Sequence, residues 1–142
     1  MVVLLLGTQL SGAASAQEPP LCGPPGEEVP ATIVGAGTIF GTSGDDVIVA
    51  SAGNDIVFAG GGNDFVCGEG GNDTLDGGNG DDVLIGDEGA DAMYGGAGND
   101  VYFVDATGDQ VFELAGEGTD RVATSVSFAL AASAEVETLE TT

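Results

Sequence analysis

The chain has 142 residues, with 24 Asp plus Glu set against a single basic side chain, Arg121, no His, and a formal net charge of −23. Without His or Lys it holds no Ser/His/Asp or Cys/His catalytic set, no imidazole metal site, no P-loop lysine and no basic patch. At this charge a nucleic-acid backbone or an anionic membrane would repel it, whereas hard divalent cations with oxygen ligands would be drawn to it. The 26 glycines make an ordered backbone costly, at roughly 0.5–1 kcal/mol per Gly relative to Ala in regular structure. Yet 42% of the residues are hydrophobic, so the chain is not a simple polar tail.

Val2 to Leu6 opens an apolar stretch that runs through Leu10 to Ala14, and Ala14-Ser15-Ala16 then gives an A-x-A cleavage pattern before Gln17. Residues 1–16 therefore read as a signal peptide. The run is too short and too interrupted to span a bilayer, so no membrane span is expected in the mature chain. An uncleaved anchor or a buried segment is the alternative. No Lys or Arg precedes the apolar run, so the start codon is expected to be a few codons off. Export implies an oxidising, calcium-rich compartment. The expected location is secreted and extracellular, with cell-surface association as a variant.

Residues 17–40 read as a Pro-rich strap followed by an N-terminal cap. All five prolines lie here, at 19, 20, 24, 25 and 30, and they favour extended chain over helix. The two cysteines, Cys22 and Cys67, read as one disulfide in a secreted chain. Two free buried thiols are the alternative.

From Gly41 the chain divides into eight nonapeptides covering residues 41–112: GTSGDDVIV, ASAGNDIVF, AGGGNDFVC, GEGGNDTLD, GGNGDDVLI, GDEGADAMY, GGAGNDVYF and VDATGDQVF. A fixed short period of this kind is the signature of a solenoid. The sixth position is always Asp: Asp46, Asp55, Asp64, Asp73, Asp82, Asp91, Asp100 and Asp109. The fourth is Gly in the first seven: Gly44, Gly53, Gly62, Gly71, Gly80, Gly89 and Gly98. The eighth is large and apolar: Ile48, Val57, Val66, Leu75, Leu84, Met93, Tyr102 and Val111.

Positions one to six favour tight turns, and positions seven to nine favour a short strand. If position eight faces inward, two repeats make one coil, and repeats one coil apart stack as parallel strands. Asp46 then lies beside Asp64, Asp55 beside Asp73, and so on. Like charges at that spacing call for a cation between them. Carboxylates together with backbone carbonyls of the Gly-rich turns form an oxygen set suited to Ca²⁺, and less suited to Mg²⁺, which dehydrates reluctantly.

The pattern G-G-x-G-x-D-x-U-x resembles the hemolysin-type calcium-binding repeat, also called repeats-in-toxin or RTX, which the copies at residues 77–85 and 95–103 match closely. The resemblance is strong over 41–112 and extends through Val104-Asp105 to Gly116-Glu117-Gly118-Thr119-Asp120. It implies an all-β parallel β-roll that folds on binding Ca²⁺, as found in secreted toxins, proteases, lipases, adhesins and small calcium-binding proteins. The eight aspartates and seven glycines named above would be its metal residues, holding at most about six ions and roughly four or five in practice.

Several positions depart from the pattern. Residues 32–40 look like a ninth repeat without its Asp loop, in which Ile39 packs but Gly37 offers no ligand. Ala50 and Ala59 replace first-position Gly, which is expected to strain those turns. Val104 and Thr107 replace the first- and fourth-position glycines of the last repeat, which makes Asp109 the weakest site.

Positions seven and nine of the odd repeats form an apolar stripe of Val47, Val49, Phe65, Cys67, Val83, Ile85, Val101 and Phe103. A stripe of this size is expected to meet a partner or a second copy, with Cys22–Cys67 tying the strap over part of it. Residues 113–142 read as a C-terminal cap with a strand at Val122–Phe128, as a solenoid needs closed ends. Glu135-Val136-Glu137-Thr138-Leu139 resembles family segments that continue further, so a truncated product is one reading.

The function expected is a calcium-binding structural or interaction module without enzymatic activity. One alternative is a calcium-dependent adhesion or toxin-type module. Another is a non-catalytic piece of a larger RTX enzyme of the protease, lipase or epimerase type. Acid–base work by Asp and Glu pairs, as in glycosidases, is disfavoured because no carboxylate is singled out by the period.

Overall fold

The computed structural model describes residues 20–23, 26–130 and 136–142. The expected signal peptide and Glu135 lie outside the described residues, as does part of the strap. Every described element is a β-strand. Among the described residues no helix is long and apolar enough to cross a membrane.

The chain winds as a parallel β-roll between two facing sheets. The first sheet takes the strands of the odd repeats: β5 (Val47–Val49), β7 (Phe65–Cys67), β10 (Val83–Ile85) and β13 (Val101–Val104). β3 (Ile33–Val34) extends it at one end, and β15 (Arg121–Thr124) and β16 (Thr138–Thr141) at the other. The second sheet takes β4 (Thr38–Phe40), β6 (Ile56–Gly61), β9 (Thr74–Asn79), β12 (Ala92–Ala97) and β14 (Gln110–Phe112). Neighbouring strands pair parallel two repeats apart, with Val47 opposite Phe65, Phe65 opposite Val83 and Val83 opposite Val101. A short ladder of β8 (Gly70–Gly71) and β11 (Glu88–Gly89) joins two loops on one edge.

Position eight supplies the core, as expected. Ile48, Val57, Val66, Leu75, Leu84, Met93, Tyr102 and Val111 are all buried between the sheets. Three-residue strands hold for the first sheet through β10, but β6, β9 and β12 run six residues into the following loop. There Gly60, Gly78 and Gly96 continue the ladder, because glycine lets adjacent coils approach closely.

The two alanines at first positions do not strain their turns. Neither Ala50 nor Ala59 has a positive φ, and both methyl groups join the core. Left-handed backbone falls instead at positions two and four of repeats three to seven. Gly62, Gly71, Gly80, Gly89 and Gly98 occupy the fourth position there, each against the fourth-position glycine of the preceding coil, where a Cβ would strike backbone. This pairs conformational freedom with close approach, both of which require glycine.

Flanking segments extend the roll at both ends. Residues 38–40 pair with β6 in the same register as a true repeat, and Ile39 is buried. Arg121 pairs with Val101 twenty residues on, so the post-repeat stretch adds one more strand with Val122 in the core. The strand expected over Val122–Phe128 ends at Thr124, and Val126, Phe128 and Leu130 pack against the core without strand pairing.

Cys22, in β1 (Leu21–Cys22), is disulfide-bonded to Cys67 with Cα atoms 5.7 Å apart. β1 pairs antiparallel with β2 (Val29–Pro30) and lies against β5 and β7. Cys22, Val49, Cys67 and Ile85 form a second buried cluster, with Val47, Phe65, Val83 and Phe103 half-buried against it. The apolar stripe is therefore not an open surface: Val49 and Ile85 are buried, and Val47, Phe65, Val83, Val101 and Phe103 are half-buried. On the second sheet Phe40, Ile56, Phe58, Tyr94 and Phe112 are exposed, with Phe40 stacked on Phe58 and Tyr94 on Phe112, while on the first sheet Val34 in β3 and Leu139 in β16 are exposed at its two ends.

Candidate metal centre

Each sixth-position aspartate is the last residue before its strand. The parallel register therefore sets these residues one above another along the two edges of the roll. Asp46, Asp64, Asp82 and Asp100 share one edge; Asp55, Asp73, Asp91 and Asp109 share the other. All eight are buried.

One oxygen of each carboxylate is committed to the backbone. The N–H of Asp46 donates to Asp64 Oδ1, that of Asp64 to Asp82 Oδ1 and that of Asp82 to Asp100 Oδ1, each at 2.8 Å. On the other edge Asp55 donates to Asp73 and Asp73 to Asp91 at 2.8 Å, and Asp91 to Asp109 at 3.1 Å. Gly37 fills the aspartate's place in the degenerate repeat and donates its N–H to Asp55 Oδ1. The stacked acids are thus spaced by N–H donors, which sequence reasoning did not foresee.

A second ladder runs the opposite way through position five. Asn63 N–H donates to Asp45 Oδ1, Asp81 N–H to Asn63 Oδ1 and Asn99 N–H to Asp81 Oδ1. Asn72 donates likewise to Asn54, and Ala90 to Asn72. The signal was present in the sequence, since position five is Asn or Asp in repeats one to five and in repeat seven.

The second carboxylate oxygen divides the eight aspartates into two groups. Asp46 Oδ2 accepts from the N–H and hydroxyl of Thr42, at 2.7 and 2.9 Å. Asp55 Oδ2 accepts from the N–H and hydroxyl of Ser51, both at 2.8 Å. Asp109 Oδ2 accepts from the N–H of Ala106. In repeats three to seven Oδ2 of Asp64, Asp73, Asp82, Asp91 and Asp100 is buried with no hydrogen-bond partner. These are the five loops with left-handed residues at positions two and four. In repeats one and two the second residue is not left-handed and donates its N–H to the carboxylate, and in repeat eight the donor is the third residue, Ala106. At Glu69 and Asp87 even non-glycine residues hold the left-handed conformation.

The electrostatics of Asp55 differ from those of the open loops. Burial is the main cause that raises the pKa of Asp64 and Asp73, against the lowering effect of their N–H donors. Burial, with neighbouring aspartates adding to it, pushes Asp82 and Asp91 up to about 7 and Asp100 up to about 6. Burial also acts on Asp55, but the hydrogen bonds from Gly37 and Ser51 outweigh it and hold its pKa below the usual value.

The residues present fit a hard divalent cation. An orphaned buried acceptor costs about 1–3 kcal/mol, and more when charged. The chain has only one basic side chain with which to neutralise such groups. The first-position glycines leave room beside these oxygens. A Cβ on Gly68 would lie 2.6 Å from Asp73 Oδ2 and 2.7 Å from the carbonyl oxygen of Gly86. A Cβ on Gly77 would likewise meet Asp82 Oδ2 and the carbonyl oxygen of Gly95. A methyl group at these positions would press on one carboxylate and one carbonyl oxygen, so glycine leaves both free to face a cation, and such oxygens are the kind that Ca²⁺ takes as ligands. These first-position carbonyls were not singled out in the sequence. The fourth-position carbonyls of Gly62, Gly71 and Gly80 instead abut the next coil's glycine.

Residues 34–66 and 68–102 match the RTX calcium-binding nonapeptide repeat, in four copies. The chain carries an array of RTX repeats. No curated protein and no solved structure matches it. The RTX match stops at Tyr102, just before the repeat in which Val104 and Thr107 replace glycines and Asp109 is closed by its own loop. It includes Asp46 and Asp55, whose Oδ2 atoms are likewise closed. The RTX pattern alone does not separate open loops from closed ones; in repeats one and two the difference lies at position two, with Thr42 and Ser51 as the capping hydroxyls.

Proposed function

We propose that this chain is a secreted, non-enzymatic calcium-binding module with a structural or interaction role, whose roll forms as Ca²⁺ binds. The observation that carries the reading is the set of five buried, unpartnered Oδ2 atoms at Asp64, Asp73, Asp82, Asp91 and Asp100. Asp46, Asp55 and Asp109 act as end rungs of the ladder, with their charge held by their own loops. The fourth-position glycines, Gly44 to Gly98, serve as turn and stacking residues in this reading.

When bound, Ca²⁺ supplies positive charge and several oxygen coordination positions between adjacent coils. The chain supplies carboxylates held in place by the Oδ1 ladder and carbonyls from the first-position glycines. Binding free energy then becomes folding free energy, because the unfolded chain has no preformed site. Export is part of the proposal. The Cys22–Cys67 bridge supports it, since disulfides persist in oxidising compartments.

The deciding experiment is a calcium titration of the metal-free chain at neutral pH, followed by far-ultraviolet circular dichroism with metal stoichiometry at saturation. Disordered chain turning β-rich on binding several ions supports the reading. A chain fully folded in excess chelator at neutral pH, binding no calcium, overturns it.

Calcium-dependent adhesion is the second reading. It is favoured by the exposed stacked pairs Phe40–Phe58 and Tyr94–Phe112 on the second sheet. Concentration-dependent sedimentation in calcium tests it, and a strict monomer lacking any surface adsorption counts against it.

A further inference from the structure

We propose that Asp100, Glu113 and Asp120 form a calcium site of a different kind at the C-terminal end of the roll, where three carboxylates join the last repeat to the cap. This rests on the calcium reading of the repeats but joins Asp100, a repeat residue, to two residues outside them. Glu113 and Asp120 lie beyond the RTX match, and the nonapeptide period did not point to either.

The arrangement follows from the post-repeat stretch. Asp120 precedes β15 as each sixth-position aspartate precedes its strand, and its Oδ1 accepts from the N–H of Asp100 at 2.8 Å. It thereby extends the aspartate ladder by one rung, twenty residues on. Glu113 directly follows β14 and turns its side chain into the end of the roll, where it is only 2% exposed. Its Oε1 accepts the hydroxyl hydrogen of Tyr102, while its Oε2 is buried with no partner. Asp100 Oδ2 is likewise buried and unpartnered. Two carboxylates from different segments, each with an orphaned oxygen, thus meet here.

One oxygen from each of the three carboxylates lies within 4.8 Å of the others. A single ion with metal–oxygen distances of about 2.3–2.6 Å can bridge that spread. Gly95 keeps the space open, because a Cβ there would meet both the Tyr102 hydroxyl and Asp100 Oδ2. No basic side chain serves the cluster: Arg121 is the chain's single one, and it pairs at the surface with Glu140 at 3.7 Å. A cavity of about 270 Å³ lined by Tyr94, Val111, Phe112, Leu114 and Glu117 borders Glu113.

Tyr102 makes the site observable. The chain has two tyrosines, Tyr94 and Tyr102, and no Trp. Terbium bound beside Tyr102 would be sensitised by that ring. The test uses full-length Tyr94→Phe, where Tyr102 is the remaining tyrosine, with terbium as the probe and bound calcium counted after equilibrium dialysis. Tyrosine-sensitised terbium emission that calcium displaces is expected, and its absence overturns the site. Glu113→Gln in the same background keeps an acceptor for the Tyr102 hydroxyl but removes the charge. It should weaken terbium binding at Tyr102 by about tenfold or more, given the dependence of affinity on ligand charge count, and should lose one calcium.

A residue that merely accepted the tyrosine hydrogen bond would leave both readouts unchanged in Glu113→Gln, and that result overturns the site while sparing the repeat sites. If Glu113→Gln is unfolded in saturating calcium, Asp120→Asn is read in the same way. Wild-type chain that binds no calcium at all overturns the repeat reading, and this site with it.

Discussion

The main-chain N–H of Asp64 donates to Oδ1 of Asp82, one coil further on, at 2.8 Å. The carboxylate that carries the ladder is thus the one left with a free oxygen on its other side. Asp82→Asn keeps an oxygen for the Asp64 N–H and loses the charge beside Gly77. This variant should bind at least one calcium fewer and need more calcium to fold. Asp46→Asn, by contrast, changes a carboxylate whose Oδ2 is already held by Thr42. Its calcium stoichiometry should equal that of the wild type. Equal losses in the two variants would contradict the division of the repeats into open and closed loops.

The raised carboxylates predict how the metal-free chain responds to acid. Asp82 and Asp91 sit at about 7 and Asp100 at about 6 in the fold, against about 3.9 for an unperturbed Asp in unfolded chain. The folded state therefore binds more protons than the unfolded state between these values, and linkage makes stability fall as pH rises through that window. Protonation contributes stability fully below the unfolded value, and that contribution is lost as pH climbs to about 7. Metal-free chain should gain β-structure between pH 7.5 and 5, and calcium added near pH 6.5 should release protons. Circular dichroism without calcium, paired with proton-release titration, checks both. A metal-free signal independent of pH would mean these carboxylates are not buried in the apo chain.

The roll was legible because its determinants repeat every nine residues. Ile48 through Val111 mark the inward position, and the invariant Asp marks the strand start. Three features were not legible from the period. The closing of Asp46 and Asp55 depends on position two, where Thr42 and Ser51 differ from Gly60, Gly78 and Gly96 by a hydroxyl that caps, and that of Asp109 on the N–H of Ala106. That signal lies in the variable part of the repeat. The burial of Val49 and Ile85 under the strap was expected from the Cys22–Cys67 pair and not from the period, because a strap from outside the array has no periodic signature. Glu113 was missed for the same reason: it belongs to the exit from the repeats, where a three-dimensional turn brings it beside Asp100.

Fourth-position glycines should not respond alike to substitution. Gly80 has φ +123° and would place a Cβ against backbone of Gly62. Gly80→Ala should therefore cost at least about 1–2 kcal/mol from the left-handed conformation alone, with the steric contact added. Gly44 has no positive φ, and nothing lies within 4 Å of its added Cβ. Gly44→Ala should be neutral or stabilising by about 0.4–1 kcal/mol through lower unfolded-state entropy. Thermal or denaturant unfolding in saturating calcium measures both. Destabilisation of the Gly44 variant as large as that of the Gly80 variant would show that the first loop shares the left-handed form.

The strap is expected to act on calcium affinity from a distance. Cys22 and Cys67 close a loop with a sequence separation of 45, and in the chain-entropy model this contributes about 4 kcal/mol, mainly by restricting the unfolded chain. Cys67 also brings Cys22 against Val49 and Ile85, apolar side chains that reduction would release towards water. Neither effect touches a carboxylate, so the number of calcium ions at saturation should be unchanged in Cys22→Ser/Cys67→Ser. Since calcium binds the folded chain, a less favourable folding equilibrium must raise the calcium concentration needed to fold it. The double variant should show a higher calcium midpoint and a lower melting temperature with the wild-type stoichiometry. A changed stoichiometry would place the strap within a metal site, and an unchanged midpoint would show that it folds independently of the roll.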